Sequence, residues 1–592
     1  MSAERNSSPE RMRVLYGGIG PYRAVLFGDS MTSQLYVDTT PTASYDSATG
    51  VLTLTDSGHA LATGWQVDVF NRTYSALKKH QRYTLTRIDA NSFSVNVGAG
   101  LSGVPNGALS GTTFARVPTR HGSNSWVNWL QMLMGWPFEI VYNGAQSGDT
   151  TQDCLDRIGM HCLSYSPDVV LMQMPGVNDT STGNGPIDEE TIVANQKRII
   201  DRILTSGASL IAASVTPVYT GEARATAQNM ARVVNMNRRL QEYLRGRRNA
   251  MWVDSYERTV DSSSTTGRAV ASYVKSTDFI HYSIPGALRV GKRARDKAQY
   301  LFPSNVSTLP RSPLDCYAAQ QFTASGVVIS GGIATVSIAG LSASNRIIAG
   351  EKVHIFGAKS STEINGWDRT VLTADTSGFT FATSAADAGS VTGTVTISRG
   401  RNVDINPLGA TATGGTVTAP VTGTTMDGVN ARFHSGSGTA VASVVANADG
   451  IGNAQRLVVS AAVANDLPGF QSEVTSTLNN FAVAGETFFF EADLRISSAN
   501  WANTPITEIM FRLIATVDSV LYSAHAVNTY DGLTGASIAE DVALHVRTPD
   551  LKIPAGTLTQ FYWQVYVRAS GTVSSDLTLD LSRRAVWHKP AS

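Results

Sequence analysis

The sequence predicts a multidomain protein with four parts: an α/β unit with a parallel sheet covered on both faces, two small all-β modules (one inserted into the α/β unit), and a C-terminal β-sandwich. Three observations carry this. Short apolar runs alternate with helical patterns from residue 24 to about 301. A Thr/Ser/Gly-rich segment of strand-like alternation interrupts them at 37–117 and recurs at 319–400, and from about 401 onward only strand alternation remains. With 592 residues the chain far exceeds what one hydrophobic core organises. Its 42% hydrophobic content, with 52 Gly and 21 Pro near ordinary usage, excludes a mostly disordered chain.

In the α/β unit the strand-length runs are residues 24–27, 138–142, 168–174, 209–215 and 251–254. Ile199, Ile200, Ile203 and Leu204 mark one helix by their three-to-four spacing, and another is expected at 124–135. Five strands alternating with helices make a parallel sheet, because each crossover helix returns along the sheet and covers it. The interruption at 37–117 has its clearest strands at 51–55 and 93–97. Setting Gly64 on Gly350 places Val67 on Val353, Phe70 on Phe356, Asp89 on Asp375 and Phe93 on Phe379 without a gap. Equal offsets at five positions favour duplication, and small repeated β-units usually space and stack.

Beyond 401, Phe488, Phe490, Ala492, Leu494 and Ile496 share one strand face, with Phe489, Glu491, Asp493 and Arg495 on the other. Phe561, Trp563, Val565 and Val567 repeat the pattern, as do Leu577, Leu579 and Leu581, which predicts a sandwich of the jelly-roll type. Tyr562 and Tyr566 fall on the polar side of their strand, where rings could stack on sugars, although aromatics on strands are more often simply packed. Ser/Thr/Gly-rich stretches near 303–313 and 407–425 read as linkers. The expected division is an N-terminal segment 1–23, the α/β unit 24–36 with 118–305, the inserted module 37–117, a linker 306–318, the second module 319–400 and the sandwich 401–592.

Lys plus Arg and Asp plus Glu both number 47, so no net field draws the chain to nucleic acid or anionic lipid. Charged residues make up 16%, below the roughly 25% of ordinary soluble proteins, a balance suited to strand-rich extracellular-style modules. Cys154, Cys162 and Cys316 are too few and too oddly spaced for a disulfide framework or a zinc site. The polar opening decapeptide lacks the apolar core of a signal peptide, and no run reaches the ~18 apolar residues of a membrane span.

Four short blocks in the α/β unit read as one nucleophilic site. Gly28-Asp29-Ser30-Met31 ends the first strand, and carboxyl ends of strands form the ligand crevice of an open parallel sheet, so Ser30 is presented to substrate. The block from Asn143 to Thr151 follows the second strand, and a glycine within it can bring a backbone N–H close to a ligand, as an oxyanion donor must. Pro175-Gly176-Val177-Asn178-Asp179 follows the third strand and offers the Asn178 amide. Asp278 and His281 precede the last helix; spaced three apart, they can share one turn, with the carboxylate fixing the tautomer of an imidazole that takes the serine proton. Asp254, which ends the fifth strand, is a rival for the acid, but proximity in sequence to His281 favours Asp278.

In this order and placement the blocks resemble those of the SGNH/GDSL hydrolase family, over residues 24–36 and 118–305. The resemblance implies a flavodoxin-like three-layer fold and hydrolysis of esters, thioesters or acetylated sugars. It makes Ser30 the nucleophile, His281 the general base, Asp278 its orienting acid, and the Ser30 N–H, Gly148 and Asn178 the oxyanion donors. Two-step acyl transfer of this kind needs no metal or other cofactor. The first block departs from the family in Met31, where Leu is frequent, and the second in Asn-Gly-Ala for Asn-Ala-Gly.

Other features have plainer readings. Residues 286–293 nearly spell a phosphate loop but end in Arg and follow no strand, so a helix packing beside His281 is expected. Arg238, Arg239, Arg245, Arg247 and Arg248 lie toward a helix end, where cations suit the dipole. The C-terminal segment resembles jelly-roll carbohydrate-binding modules, and the repeated unit is similar to small modules of phage tail proteins. These likenesses imply an esterase of a phage or prophage tail spike or fibre, acting outside the cell after release by lysis and removing O-acetyl groups from a bacterial surface polysaccharide. Its partners would be the acetylated polysaccharide and, as a homotrimer or otherwise, other tail proteins, with no nucleic acid and no membrane insertion. A lipase or thioesterase using the same residues, and a non-catalytic receptor-binding protein, are the rival readings.

Overall fold

The computed structural model describes residues 22–589 apart from 34–35, 40, 58, 60, 62, 64–65, 72, 78–80, 122–123, 135–136, 181–186, 303–320, 343–346, 405, 407, 410, 413–414, 473–476, 526–540 and 549. Nearly all of the expected N-terminal segment, the linker at 306–318, Cys316 and Gly64 lie outside the described residues.

The α/β unit is built on five parallel strands: β1 (Tyr22–Leu26), β2 (Phe138–Asn143), β3 (Val169–Gln173), β4 (Ser209–Ala213) and β5 (Ala250–Val253). Their spatial order is β2-β1-β3-β4-β5, so the chain reverses direction across the sheet at β1. In such doubly wound sheets the ligand crevice opens at that reversal, beyond the carboxyl ends of the strands. Strands β3 and β4 are buried at every position, as a sheet covered on both faces requires.

The helices are α1 (Ser30–Ser33), α2 (Trp126–Met134), α3 (Thr151–His161), α4 (Glu189–Thr205), α5 (Ala227–Leu244), α6 (Ser255–Thr259) and α7 (Ile284–Ala298). Each long one starts on a side-chain cap. Thr150 and Asp153 close a capping box on α3, and Asp188, Thr226 and Ser283 cap α4, α5 and α7. The near-phosphate-loop residues 286–293 lie inside α7, where Gly291 has a packing role. A Cβ there would stand 2.5 Å from Trp129 Cβ and 2.9 Å from the Trp126 carbonyl, so only glycine lets α7 close on α2. Three arginines at the end of α5 and just beyond form ion pairs: Arg238 with Glu242, Arg239 with Glu189 and Glu190, and Arg247 with Asp201.

The insertion between β1 and α2 forms an eight-stranded sheet whose strands run from Tyr36–Thr39 to Thr113–His121, and residues 321–398 form a seven-stranded one. Numbered within each module, the shared strands run 1-7-4-5-6-3-2 in both; the first module adds the short strand Gly107–Ala108. Equivalent faces dock on different neighbours. In the first module Arg82 pairs with Asp68, donates to the Val141 carbonyl on the edge strand β2 and lies over the Tyr142 ring. At the matching offset in the second, His354 packs on Trp367, Asp368 pairs with Arg401, and Trp367 stacks on His588 of the sandwich at 4.2 Å.

The C-terminal part is a pair of packed sheets of six and seven strands, joined through rings such as Phe490 and Trp563, stacked at 4.9 Å. The predicted inward positions from Phe488 to Ile496 are buried as expected. The opposite face of that strand differs from expectation: Glu491 is 1% exposed and Phe489 9%, because Trp587 donates its indole N–H to Glu491 and Arg547 lies over the Phe489 ring. The stretch read as a linker at 407–425 contributes two short strands, Thr416–Val417 and Val421–Gly423, to the sandwich edges. Tyr566 is buried against His434 and Arg512, so it is not a free stacking platform, and Tyr562 is half-buried. Among the described residues no helix is long and apolar enough to cross a membrane.

Candidate active site

Every sequence-predicted site residue lies at the carboxyl edge of the five-stranded sheet. Ser30 opens α1, two residues after Gly28, whose φ of +137° turns the chain out of β1. Gly148 lies in the loop after β2 with φ of +88°; it is exposed, and a Cβ on it would meet nothing within 4 Å. Asn178 follows β3, and Asp278 and His281 precede α7.

Asp278 and His281 are joined directly. The Asp278 Oδ2 lies 2.8 Å from His281 Nδ1, while its Oδ1 accepts the backbone N–H of Ile280 at 3.0 Å and of His281 at 2.9 Å. Burial alone would raise the Asp278 carboxyl, but the His281 ring and these two N–H groups outweigh it and hold it at about 2. The turn is tight enough to place Phe279 in the left-handed region, at φ +59°. The other ring nitrogen, His281 Nε2, is buried and has no hydrogen-bond partner among the described residues. The rival acid Asp254 is bound by Arg293 of α7, at 2.5 and 3.1 Å.

The loops after β1 and β2 are tied by backbone bonds, Gly144 N–H to Leu26 O at 2.8 Å and Gln146 N–H to Gly28 O at 3.0 Å. Arg157 of α3 completes the tie: its guanidinium donates to the carbonyls of Gly28 and Gly144, pairs with Asp149 and lies over the Phe27 ring. Asp149 in turn presents its carbonyl to Asn178 Nδ2 at 2.8 Å. Gln173, the last residue of β3, supports the floor. Its N–H bonds Thr32 Oγ1 of the serine helix at 2.9 Å, and its Oε1 accepts from the hydroxyl of Tyr282, the neighbour of His281, at 3.4 Å.

Arg157 and Gln173 were not singled out from the sequence, although each left a signal. Arg157 interrupts the buried stripe of Cys154, Leu155 and Ile158, and Gln173 is the one amide in an otherwise apolar strand. Among the described residues no group of three or more His, Cys, Asp or Glu is placed to hold a metal ion.

Beneath Ser30 lies Asp29, 1% exposed. Burial pushes its carboxyl up to about 7; the Met31 N–H opposes this, the charges of Asp149 and Asp179 add to it, and Arg157 again opposes. Between the ordinary carboxylate range and about 7 the folded chain therefore holds a proton that the unfolded chain has lost. This contribution to stability falls as pH rises through that window. The unfolding midpoint of Asp29→Asn is expected to vary less between about pH 4 and about pH 7 than that of the wild type. Equal slopes in a thermal melt series would remove Asp29 from this account.

A doubly wound sheet carrying a serine and a carboxylate-bound histidine at its carboxyl edge has the layout of an acyl-transfer enzyme. Residues 102–286 match the model of the GDSL-like Lipase/Acylhydrolase family. The match contains Gly148, Asn178, Asp278 and His281 and begins beyond Ser30, which lies on the far side of the inserted module. Among solved structures, a GDSL-like lipase from Bacteroides thetaiotaomicron VPI-5482 is 19% identical, with 29% of this chain and 80% of that one covered and a TM-score of 0.25. The lipase/acylhydrolase from Enterococcus faecalis is 19% identical, with 29% and 86% covered and a TM-score of 0.22. No curated protein matches the chain.

Proposed function

We propose that the protein is a serine esterase that removes O-acetyl groups from a bacterial surface polysaccharide as part of a phage tail spike or fibre. Ser30 attacks the ester carbonyl while His281 Nε2 takes its proton, and Asp278 keeps the other ring nitrogen protonated and the ring in place. The Ser30 and Gly148 N–H groups and the Asn178 amide receive the oxyanion; His281 then returns the proton to the leaving sugar oxygen, and water releases the acetyl group by the same route in reverse.

The observation that carries the reaction class is the Asp278–His281 pair at 2.8 Å with a buried, unpartnered Nε2 at the edge where Ser30 emerges. A small acyl group on a polymer is favoured by the openness of the site. Gly148 is exposed, Ser30 half-buried, and the Asp278 and His281 side chains are 34% and 18% exposed. The polysaccharide and the tail setting rest on the likeness of the β-sandwich to carbohydrate-binding modules and of the repeated unit to phage tail modules.

The test is acetate release from acetylated capsular polysaccharides by the wild type and by Ser30→Ala, beside hydrolysis of long-chain acyl esters. Release by the wild type alone supports the reading; a preference for long chains replaces it with a lipase. A second expectation concerns Asn178→Ala, which should lose about 10² to 10³ in kcat if the amide is an oxyanion donor. Unchanged turnover would take Asn178 out of the site.

A further inference from the structure

The Asn178 amide is held at both ends. Its Nδ2 donates to the Asp149 carbonyl at 2.8 Å, and its Oδ1 accepts from Arg224 Nη1 at 3.0 Å. A carbonyl can only accept and a guanidinium can only donate, so each contact disfavours the flipped amide. One Nδ2 hydrogen remains unused by any described residue. Arg224 is itself held by Glu222, which accepts its Nε at 2.9 Å and its backbone N–H at 2.5 Å. The same loop binds the acid–base turn: Tyr219 N–H donates to the Phe279 carbonyl at 2.9 Å, and a Cβ on Gly221 would stand 3.1 Å from the Phe279 ring. A single loop after β4 therefore touches both the amide donor and the turn that carries Asp278 and His281.

We propose that Arg224, buttressed by Glu222, is a positioning residue for the Asn178 amide. It locks the amide with one N–H facing the reacting carbonyl, and its charge on Oδ1 polarises the amide so that this N–H binds the oxyanion more strongly than it binds the neutral ester. Charge-assisted bonds to a preorganised donor act where charge develops, so the effect falls on turnover more than on substrate binding. The proposal rests on the serine-esterase reading.

The experiment is a double-mutant cycle on a soluble aryl acetate with Arg224→Met, Asn178→Ala and the pair, with fluorophosphonate labelling of Ser30 in each protein. Arg224→Met is expected to lower kcat about 10- to 100-fold with KM little changed, and Arg224→Lys to recover part of the loss. In the Asn178→Ala background the same change should cost less than about 2-fold, because the amide it orients is gone. Losses that multiply in the double variant, or a kcat for Arg224→Met equal to the wild type, would overturn the proposal. If Arg224→Met does not fold, Glu222→Gln enters the cycle in its place with the same expectations. A wild type that neither hydrolyses the acetate nor reacts at Ser30 defeats the esterase reading itself. A wild type active in both assays beside an unaffected Arg224→Met defeats only the role of Arg224.

Discussion

Ser30→Ala is expected to lower kcat for acetyl ester hydrolysis by about 10⁵- to 10⁶-fold while leaving the fold intact. The size follows from covalent catalysis: without the hydroxyl no acyl-enzyme forms, and the donors can only stabilise direct attack by water. The fold is expected to survive because Ser30 is half-buried at the start of a four-residue helix, and its neighbours anchor this loop. Met31 N–H binds Asp29 Oδ1, Thr32 N–H binds Asp29 O, and Arg157 binds Gly28 O. Steady-state turnover together with a thermal melt checks both halves, and activity within about tenfold of the wild type would mean that another group is the nucleophile.

Asp278→Asn is expected to cost about 10⁴ in kcat, although it changes a single atom. The turn determines how the new amide sits. Asp278 Oδ1 already accepts the N–H groups of Ile280 and His281, and only the carbonyl end of an asparagine can keep those bonds. The NH2 end must then face His281 Nδ1, where it can only donate, so the ring proton moves to Nε2 and the imidazole can no longer accept from Ser30. KM should change little, because the substituted group lies behind the histidine. A variant with normal kcat would show that some other group orients the ring; Asp254, held by Arg293, is poorly placed to do so.

Much of this was legible in the chain. Five apolar runs become β1 to β5, since a strand covered on both faces of a sheet is mostly apolar, and that is a local property of sequence. Asp278 and His281 could be paired in advance because a spacing of three residues lets one turn join them. Asn178 could be picked out because strand ends in an open parallel sheet converge on one edge, whereas Gly148 was chosen over Gly144 only through the family resemblance. The supporting residues were beyond such reasoning. Arg157 acts on Gly28 across 129 residues, Gln173 on Tyr282 across 109 and Arg224 on Asn178 across 46, and no periodicity reports a partner at those separations.

The same limit applies to strand faces. Alternation on a strand tells which side chains share a side but not what later covers that side. Tyr566 shares the polar-patterned side of its strand yet lies beneath Arg512 and against His434, and Glu491 lies opposite the apolar face yet is buried by Trp587 and its neighbours. The order of residues by itself determined the parallel sheet, the duplicated module and the acid–base turn, because these follow from hydrophobic period, repeat and short spacing. Tertiary structure alone decided which arginines brace the donors, which face of each module docks and which aromatics stay open. Those outcomes depend on side chains meeting across distant segments, and the fold creates that proximity.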